Sequence, residues 1–435
     1  MNDIRPFRGI RYNPKRIRDL SKVISPPYDI ITKEEQSDYY RSSPYNVIRL
    51  ELGKRFARDD GSRNCYTRAR TFLKKWLSGG VLVQDVEPSI YVVEQKFKKG
   101  KRWASRLGFI ALLELTGSGE HAIYPHEKTF GPPKEDRLQL MKALKANTSP
   151  LFFLFPDRRR EVDRMMRRWI RQTRPVGTVS NDEEWHTLWC LTDPSLIEKL
   201  RRVIRRRPLF IADGHHRYEV ARAYTHQYVM AYFSNLLDEH LTILPIHRLV
   251  KGLDGDKEKL RERLLPLFAF KPFRTVSALL KAMEKRRKGY VFGMVVKGGP
   301  FYLLTPKDQK VLTELGRSIR RSATWRRLDV TLLHEALLKK GLGLPEKRIQ
   351  KQVCFDRDLP RCLRLIDQGA YQVAFLLRAP RIEQVQRIAL SGEKMPQKST
   401  YFYPKPLTGL VLYRFENNEK FKTKNAKLKF KIKKF

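Results

Sequence analysis

Short apolar runs and helical spacings alternate along the first half of the chain. Leu151–Phe155 is an unbroken apolar run, which predicts a buried strand. From residue 64 to residue 77 apolar side chains recur at spacings of three and four until Gly79 and Gly80, which predicts an amphipathic helix. Similar strands and helices continue beyond residue 250. The pattern therefore predicts an α/β or α+β protein with mixed sheets.

The first 52 residues are rich in turns. Pro26 and Pro27 form a rigid loop that presents Asp29, whose carboxylate either holds a metal ion or caps the short helix that follows. Thr32 followed by Glu35 predicts a capping box at the start of that helix. Val47–Leu52 is predicted to be a strand.

The hydrophobic pattern and the charge divide the chain into three parts. The pattern changes near residue 251, which predicts an N-terminal portion over residues 1–250 and a mixed α/β portion over residues 251–419. Residues 420–435 are dominated by lysine and contain no acidic residue, which predicts a disordered tail. Apolar residues alternate with lysines in its last eight residues, so the other interpretation is that this segment pairs as an edge strand.

The segment 208–223, PLFIADGHHRYEVARA, changes register in its middle. The apolar run Leu209–Ala212 predicts a buried strand, Asp213 and Gly214 end it, and a helix is expected from His215. The first N–H groups of a helix have no partner within the helix, and its dipole is positive at that end. A strand–turn–helix of this kind therefore favours a bound anion.

The side chains of the same turn agree with an anion site. Gly214 has no Cβ to hold a ligand away, and the planar guanidinium of Arg217 suits phosphate. His215 and His216 add donors that change charge near neutral pH. The structural alternative is that Asp213 caps the helix and the histidines cap its first turn.

Two other loops contain groups able to do chemistry. His126, Glu127 and Lys128 lie on a loop bounded by prolines, and Asp136 and Arg137 are predicted to open the helix that follows. An imidazole beside a carboxylate is suited to general base catalysis, and it also occurs in ordinary surface loops.

The second of these loops contains Lys398, Ser399 and Thr400. These side chains are interpreted either as contacts to a phosphate or as packing within the loop. The flanking glycines of a P-loop are missing here.

The net charge is extreme for a chain of 435 residues. It is +43 at pH 7, from 89 Lys and Arg against 46 Asp and Glu. Such a charge reflects either an organism-wide basic bias or a polyanionic partner such as nucleic acid. The spacing of the four cysteines predicts neither a zinc site nor a disulfide framework, and a cytoplasmic location with no membrane contact is expected.

Several segments together resemble a known family. They are IRPFRGIRYN, ISPPYDII, NVIRLELG, HEKTFGPPKEDRLQLMKALKANTSPLFFLF, IADGHHRYE, LTILPIHRLV and MPQKSTYFYPKPLTGLVL. They resemble the uncharacterised domain of unknown function 1015, which is linked to the ParB/sulfiredoxin-like superfamily. Members of that superfamily hold phosphate at a related turn, and they include nucleotide-binding partition proteins, ATP-using sulfiredoxins and a free-serine kinase. The chain departs from the family pattern in its short connection after the signature helix and in Val220, where threonine is expected.

The resemblance implies a phosphate- or nucleotide-binding protein, and a phosphotransferase acting on a small hydroxyl-bearing metabolite. The expected nucleotide is ATP, ADP or CTP, with Mg²⁺ held by Asp213 or Asp29. The expected catalytic residues are His126, Glu127 and Asp29. The expected phosphate-binding residues are Gly214, His215, His216, Arg217, Lys398, Ser399 and Thr400. The alternative is a nucleotide-sensing module that meets nucleic acid through its basic surface and tail.

Three expectations concern the arrangement of these residues. The loops at residues 126–128, 136–137, 214–217 and 398–400 are expected to converge on one cleft, because desolvating so many polar groups is costly unless they bind something. The segment 46–52 is expected near the turn at Gly214. Arg217 is expected to face solvent, so that its replacement by alanine abolishes nucleotide binding with little loss of stability.

Overall fold

The computed structural model describes residues 1–100, 102–115, 123–127, 129, 131–181, 183–224, 227–286, 289–308 and 321–415. Lys128 and the tail over residues 420–435 lie outside the described residues. The chain forms two compact units. The first combines residues 1–124, 129–241 and the described part of 404–435, and the second combines residues 125–128 and 242–403.

One mixed sheet forms the core of the first unit, with nine strands among its described residues. Its strands in spatial order are Ile123–Tyr124, Leu209–Asp213, Leu151–Phe155, Tyr228–Asn235, Arg102–Glu114, Ile90–Lys99, Glu184–Leu191 and Gly177–Ser180, with Ile4–Arg5 also paired to Arg102–Glu114. Two neighbouring pairs are parallel, namely Leu151–Phe155 with Tyr228–Asn235 and Ile123–Tyr124 with Leu209–Asp213. The prediction of mixed sheets is thus confirmed.

Seven α-helices lie in the described part of the first unit. They are Lys33–Ser42, Ile48–Glu51, Cys65–Ser78, Gly131–Leu144, Glu161–Ile170, Pro194–Arg205 and His215–Tyr224, with short 3-10 turns at Leu20–Lys22 and Tyr28–Ile30. The Thr32 hydroxyl and the Glu35 carboxylate form the predicted capping box. Two small strand pairs complete the unit, Ile10–Tyr12 with Leu82–Gln84 and Ala146–Asn147 with Tyr413–Arg414.

The strand expected over residues 47–52 is wrong. The chain forms a helical turn there, Ile48–Glu51. The side-chain oxygen of buried Asn46 accepts a hydrogen bond from the backbone N–H of Ile48 at 2.9 Å, and the Asn46 amide donates to the Lys22 carbonyl at 2.8 Å. A side chain that forms a hydrogen bond with the backbone close to it stabilises a turn at the expense of strand pairing. This local hydrogen bond therefore outweighs the preference of Val47 and Ile48 for a strand.

An antiparallel sheet forms the core of the second unit, with six strands in its described part. In spatial order they are Phe268–Phe273, Phe301–Pro306, Phe292–Val296, Val373–Leu376, His247–Val250 and Val353–Asp356. The helices are Lys257–Leu264, Val276–Lys285, Ala323–Arg326, Asp329–Leu332, Glu346–Gln352, Leu359–Asp367 and Ile382–Leu390, and Leu333–Gly341 is a π-helix. Thr242–Leu244 pairs separately with Tyr401–Tyr403.

No helix in the described ranges is both long enough and apolar enough to cross a membrane.

A buried carboxyl group makes the stability of the first unit depend on pH. Asp163 is buried near Asp157 and Asp238. Burial, together with the charge of Asp238, raises its pKa from 3.8 to about 6, against the opposing effects of Arg167 and a hydrogen bond with Asn235. Because the pKa in the folded state lies above the unfolded value, the folded state binds the proton more tightly between about pH 4 and pH 6. The stabilisation is therefore full below about pH 4 and is lost as the pH rises to about 6.

We expect Asp163→Asn to remove this pH dependence and to raise the free energy of unfolding at pH 7 by about 1–3 kcal/mol, since the shift corresponds to at most about 3 kcal/mol. Urea denaturation between pH 4 and pH 7 measures the effect. Glu161→Gln, an exposed change on the same helix, is the control. Parallel pH profiles for wild type and Asp163→Asn would contradict the expectation.

Candidate functional site

The strand Leu209–Asp213 turns through Gly214 into the helix His215–Tyr224, as the sequence predicts. We call residues 213–217 the signature turn. Gly214 has a φ of +90°, and a Cβ added there would lie 2.8 Å from a methyl group of Leu151. Both the backbone conformation and the available space therefore require glycine.

Arg217 is buried and holds the signature turn in place. Its Nη2 donates to Asp213 Oδ2 at 2.8 Å, and its Nη1 donates to the Ser149 hydroxyl at 2.6 Å and to the Pro150 carbonyl at 2.9 Å. The residue is only 9% exposed. The expectation that Arg217 faces solvent is wrong, because both terminal nitrogens of its guanidinium are bonded to the protein. Direct contact of Arg217 with phosphate stays a prediction.

A buried lysine joins the signature turn to the loop after Pro27. Lys405 Nζ donates to Asp29 Oδ2 at 2.9 Å and pairs with Asp213 Oδ1. The Lys405 side chain is 6% exposed, whereas that of Asp29 is 22% exposed. The Asp29 side chain is therefore the more exposed of the two, although its other carboxylate oxygen, Oδ1, is buried. Lys405 is a residue that the sequence reasoning missed.

Asp136 and Arg137 belong to a second ion cluster of the first unit. Arg137 Nη1 donates to Glu51 Oε1 at 3.1 Å, its Nε donates to Asp136 Oδ2 at 2.9 Å, and its guanidinium lies 3.9 Å from the ring centre of Tyr28. Burial raises the pKa of Asp136, but Arg137, the Tyr66 hydroxyl and Arg55 together outweigh burial and hold that pKa below its ordinary value.

The helix that contains these two residues starts earlier than predicted. It runs over Gly131–Leu144, so Asp136 and Arg137 lie in its second turn and do not open it. Pro132 and Pro133, which were expected to end the preceding loop, lie in the first turn instead, where proline's fixed φ is compatible with a helix.

Ser149 connects the two clusters. Its hydroxyl accepts from Arg217 and donates to Glu51 Oε1 at 3.2 Å, while the Thr148 hydroxyl donates to Glu51 Oε2. Glu51 is thus one side chain away from Arg217, which confirms that the segment 46–52 lies near the signature turn. We call the connected set the charge network. Its members are Asp29, Lys405, Asp213, Arg217, Ser149, Glu51, Arg137 and Asp136.

Asp213 does not fit the predicted role of a magnesium ligand. One of its carboxylate oxygens accepts from Arg217 and the other pairs with Lys405. A divalent cation would have to displace one of these positive groups. Across the described ranges, no group of three or more His, Cys, Asp or Glu side chains is placed to hold a metal ion.

In the second unit the structure brings together two of the predicted loops. Glu127 Oε1 accepts from the backbone N–H groups of Ser399 and Thr400 at 3.1 and 3.0 Å, and from the Thr400 hydroxyl at 2.9 Å. His126 Nε2 lies 2.8 Å from the same hydroxyl, and His126 is 1% exposed. Lys398 has a φ of +49°. This turn is a nest of backbone donors of the kind that binds anions, and the Glu127 carboxylate fills it.

The residues in these contacts are the ones that the sequence analysis predicts to be catalytic, His126 and Glu127, and to bind phosphate, Ser399 and Thr400. The Ser399 hydroxyl also donates to the Pro396 carbonyl, at 2.6 Å. A phosphate could reach the two backbone N–H groups only if Glu127 left them. The structure therefore agrees with the loop-packing alternative. The catalytic role of His126 and Glu127 and the phosphate-binding role of residues 398–400 stay predictions, as does the convergence of all four loops on one cleft.

The model of the family described as "Protein of unknown function (DUF1015)" matches residues 4–331. None of the curated proteins matches the chain.

Three similar solved structures have low sequence identities to this chain and low TM-scores. A conserved hypothetical protein from Pyrococcus furiosus is 16% identical, with a TM-score of 0.33 over 65% of this chain and 87% of that chain. A free serine kinase in complex with AMP is 14% identical, with a TM-score of 0.33 over 65% and 83%. SbnI with a C-terminal truncation, from Staphylococcus aureus, is 12% identical, with a TM-score of 0.36 over 69% and 87%.

Proposed function

This chain belongs to the DUF1015 family of proteins of unknown function, and we propose that it binds the phosphate groups of a nucleotide at the signature turn. The observation behind the proposal is the charge network, which fixes a strand–glycine–helix turn through Arg217, Asp213 and Lys405. A preformed turn binds a ligand without the cost of ordering it first.

The chemistry of the signature turn suits phosphate. The first N–H groups of an α-helix point out of its N-terminus, and the dipole of the ten-residue helix His215–Tyr224 adds positive potential there. The absence of a Cβ at Gly214 lets an anion approach the backbone. His216 is partly exposed in the first turn and supplies a side-chain donor. Buried Arg217 and Lys405 contribute charge and position the backbone.

We further propose that the protein transfers a phosphoryl group, with Asp29 as the base. In this step the hydroxyl oxygen of a small metabolite attacks the terminal phosphorus, and its proton passes to the Asp29 carboxylate. The bond from that phosphorus to the bridging oxygen breaks, and the nucleotide leaves one phosphate shorter with the negative charge on that oxygen. Asp29 is the candidate because its side chain is the more exposed partner of Lys405.

Calorimetric titration tests the binding proposal. We expect ATP, ADP or CTP to bind with a stoichiometry of about one at this site, while the corresponding nucleosides do not bind, because the phosphates supply the recognition. The ligand should also raise the free energy of unfolding, by about 2.7 kcal/mol at a concentration of 100 times Kd. Equal affinity for nucleosides and nucleotides would contradict the proposal.

The role of Asp29 gives a separate prediction. We expect Asp29→Asn to keep nucleotide affinity within about threefold and to lower the rate of phosphoryl transfer by about 10²–10⁴-fold, the usual contribution of a general base. The asparagine oxygen can still accept from Lys405, which protects the fold. Transfer to a panel of hydroxyl-bearing metabolites, followed by ³¹P NMR, measures the rate. An unchanged rate in Asp29→Asn would exclude Asp29 as the base.

One observation favours the nucleic-acid alternative. The segment around the helix Glu161–Ile170 presents several exposed arginines, namely Arg158, Arg159, Arg160, Arg164, Arg168, Arg171 and Arg174. Phosphate contacts of this kind give an affinity that falls steeply with salt and does not depend on sequence. Strong, salt-sensitive binding of DNA or RNA without any nucleotide binding would make the non-catalytic module the better account.

A further inference from the structure

The second unit contains a cavity of about 1000 Å³. It lies at the end of the sheet where Val373–Leu376 finishes and His247–Val250 and Phe292–Val296 begin, because Leu377, Ile246 and Tyr290 line it. Every described residue that lines the cavity belongs to residues 242–403, hence to the second unit. We call it the arginine pocket.

The lining of the arginine pocket is strongly basic. Among the described residues that line it, one is acidic, Asp329, and six are arginines: Arg248, Arg326, Arg327, Arg378, Arg381 and Arg387. Arg378 forms an ion pair with this aspartate, since its Nε and Nη2 both lie 2.9 Å from Asp329 Oδ2. Within the described ranges no carboxylate pairs with Arg248, Arg327, Arg381 or Arg387. The pocket thus has a positive charge that the described side chains do not neutralise.

Arg248 shows that this charge extends to the buried wall of the pocket. The residue is 1% exposed, and its terminal nitrogens donate to the carbonyls of Ile246, Gln397 and Lys398, while Phe355 packs on its guanidinium. Its Nε has no hydrogen-bond partner in the described part of the chain. Burial lowers the pKa of Arg248 to about 9, although the charge of Glu127 opposes the shift. A buried cation whose hydrogen bonds go only to backbone carbonyls is costly, and a bound anion would relieve that cost.

The apolar part of the lining and the volume of the pocket indicate what kind of ligand it can hold. Leu328, Val330 and Leu377 are apolar, and Tyr290 offers an aromatic ring. The volume equals the upper end of the range for small-molecule sites, about 300–1000 Å³. The planar fork of arginine matches phosphate oxygens, and several arginines together require several negative charges.

We propose that the arginine pocket binds a small organic molecule with two or more phosphate charges, at a site that shares no residue with the signature turn. The phosphates would lie against Arg248, Arg381 and Arg387, and the organic part against the apolar wall. This site does not depend on the proposed nucleotide site, because it shares no residue with the charge network.

The test uses tripolyphosphate as the probe, with the Gly214→Ala protein as background, so that the signature turn is disabled. Binding is measured by calorimetry at constant ionic strength. We expect the Gly214→Ala protein to bind tripolyphosphate, and the added pair Arg381→Ala and Arg387→Ala to weaken that binding by about tenfold or more, through the loss of charge-assisted contacts. Both arginines are exposed at the ends of the helix Ile382–Leu390, so the fold should tolerate the changes.

The control pair is Arg263→Ala with Arg364→Ala, two exposed arginines of the second unit outside the pocket. It removes the same total charge, and we expect less than about a twofold change. An equal loss of tripolyphosphate affinity in both double variants, or no tripolyphosphate binding by the Gly214→Ala protein, would overturn the proposed binding in the arginine pocket. Binding of duplex DNA in place of tripolyphosphate would overturn it in favour of a nucleic-acid surface. Tripolyphosphate binding that persists while the wild type binds no nucleotide would refute the proposed function and leave the pocket supported.

Discussion

Gly214→Ala should weaken nucleotide binding by about 100-fold and lower the free energy of unfolding by only about 1–3 kcal/mol. The added methyl group would lie 2.8 Å from Leu151 and 3.0 Å from Arg217 Nη2, on a backbone with a φ of +90°. It would also cover the backbone that an anion must approach. Losing one or two hydrogen bonds to a charged ligand corresponds to the expected change in affinity.

The matched control for this change is Gly80→Ala. Gly80 also has a positive φ, +66°, but an added Cβ would meet no atom within 4 Å. We expect it to cost about 1 kcal/mol of stability from backbone strain and to leave nucleotide affinity unchanged. Calorimetric titration at a temperature where all three proteins are folded measures the difference. Equal affinities for Gly214→Ala and wild type would place the ligand elsewhere.

Arg217→Ala should lower the free energy of unfolding by about 3 kcal/mol, because it breaks a buried ion pair. The change leaves Asp213 with Lys405 alone and removes the bonds to Ser149 and Pro150. This reverses the expectation of little stability loss, which assumed a solvent-facing side chain. Nucleotide binding should fall as well, because the turn is no longer held in shape.

Chemical denaturation measures the effect, with Arg70→Ala as the control for the loss of one positive charge. Arg70 is exposed on the helix Cys65–Ser78, where alanine is a good helix former. Its replacement should change stability by less than about 0.5 kcal/mol. If Arg217→Ala were as stable as Arg70→Ala, the charge network would not hold the signature turn.

Local patterns predicted the elements that depend on local chemistry. The register change at Asp213 and Gly214 located the strand and the helix start at His215, because glycine and the switch from an apolar run to helical spacing act over a few residues. The capping box at Thr32 was confirmed for the same reason. The strand expected over residues 47–52 failed because one buried side chain, Asn46, stabilised a turn there.

The charge network could be predicted only in part. Asp29, Asp213 and Arg217 stood out beside prolines and glycine, whereas Glu51, Ser149 and Lys405 did not. Glu51 and Lys405 lie within the segments that resemble the family, but the prolines on either side of Lys405 indicate only a loop, and nothing in sequence next to either residue indicates its partner. Their partners are far along the chain, since 376 residues separate Lys405 from Asp29. A single sequence has no local signal for such a pair.

The second unit shows how composition can mislead. Lys398, Ser399 and Thr400 have the side chains of a phosphate loop, and they do form a nest of backbone donors. The anion in that nest is Glu127 of the same chain, 272 residues away from Ser399. Residue types therefore could not indicate whether a ligand or the protein itself supplies the anion, and phosphate binding by residues 398–400 stays a prediction.

The most direct test of the account is a crystal structure of the full chain grown with ADP or ATP. The account predicts phosphate oxygens within hydrogen-bonding distance of the backbone N–H groups at the start of the helix His215–Tyr224, with Arg217 still bonded to Asp213 and Ser149. Phosphates found only in the arginine pocket, with nothing at the signature turn at a saturating nucleotide concentration, would contradict the central claim.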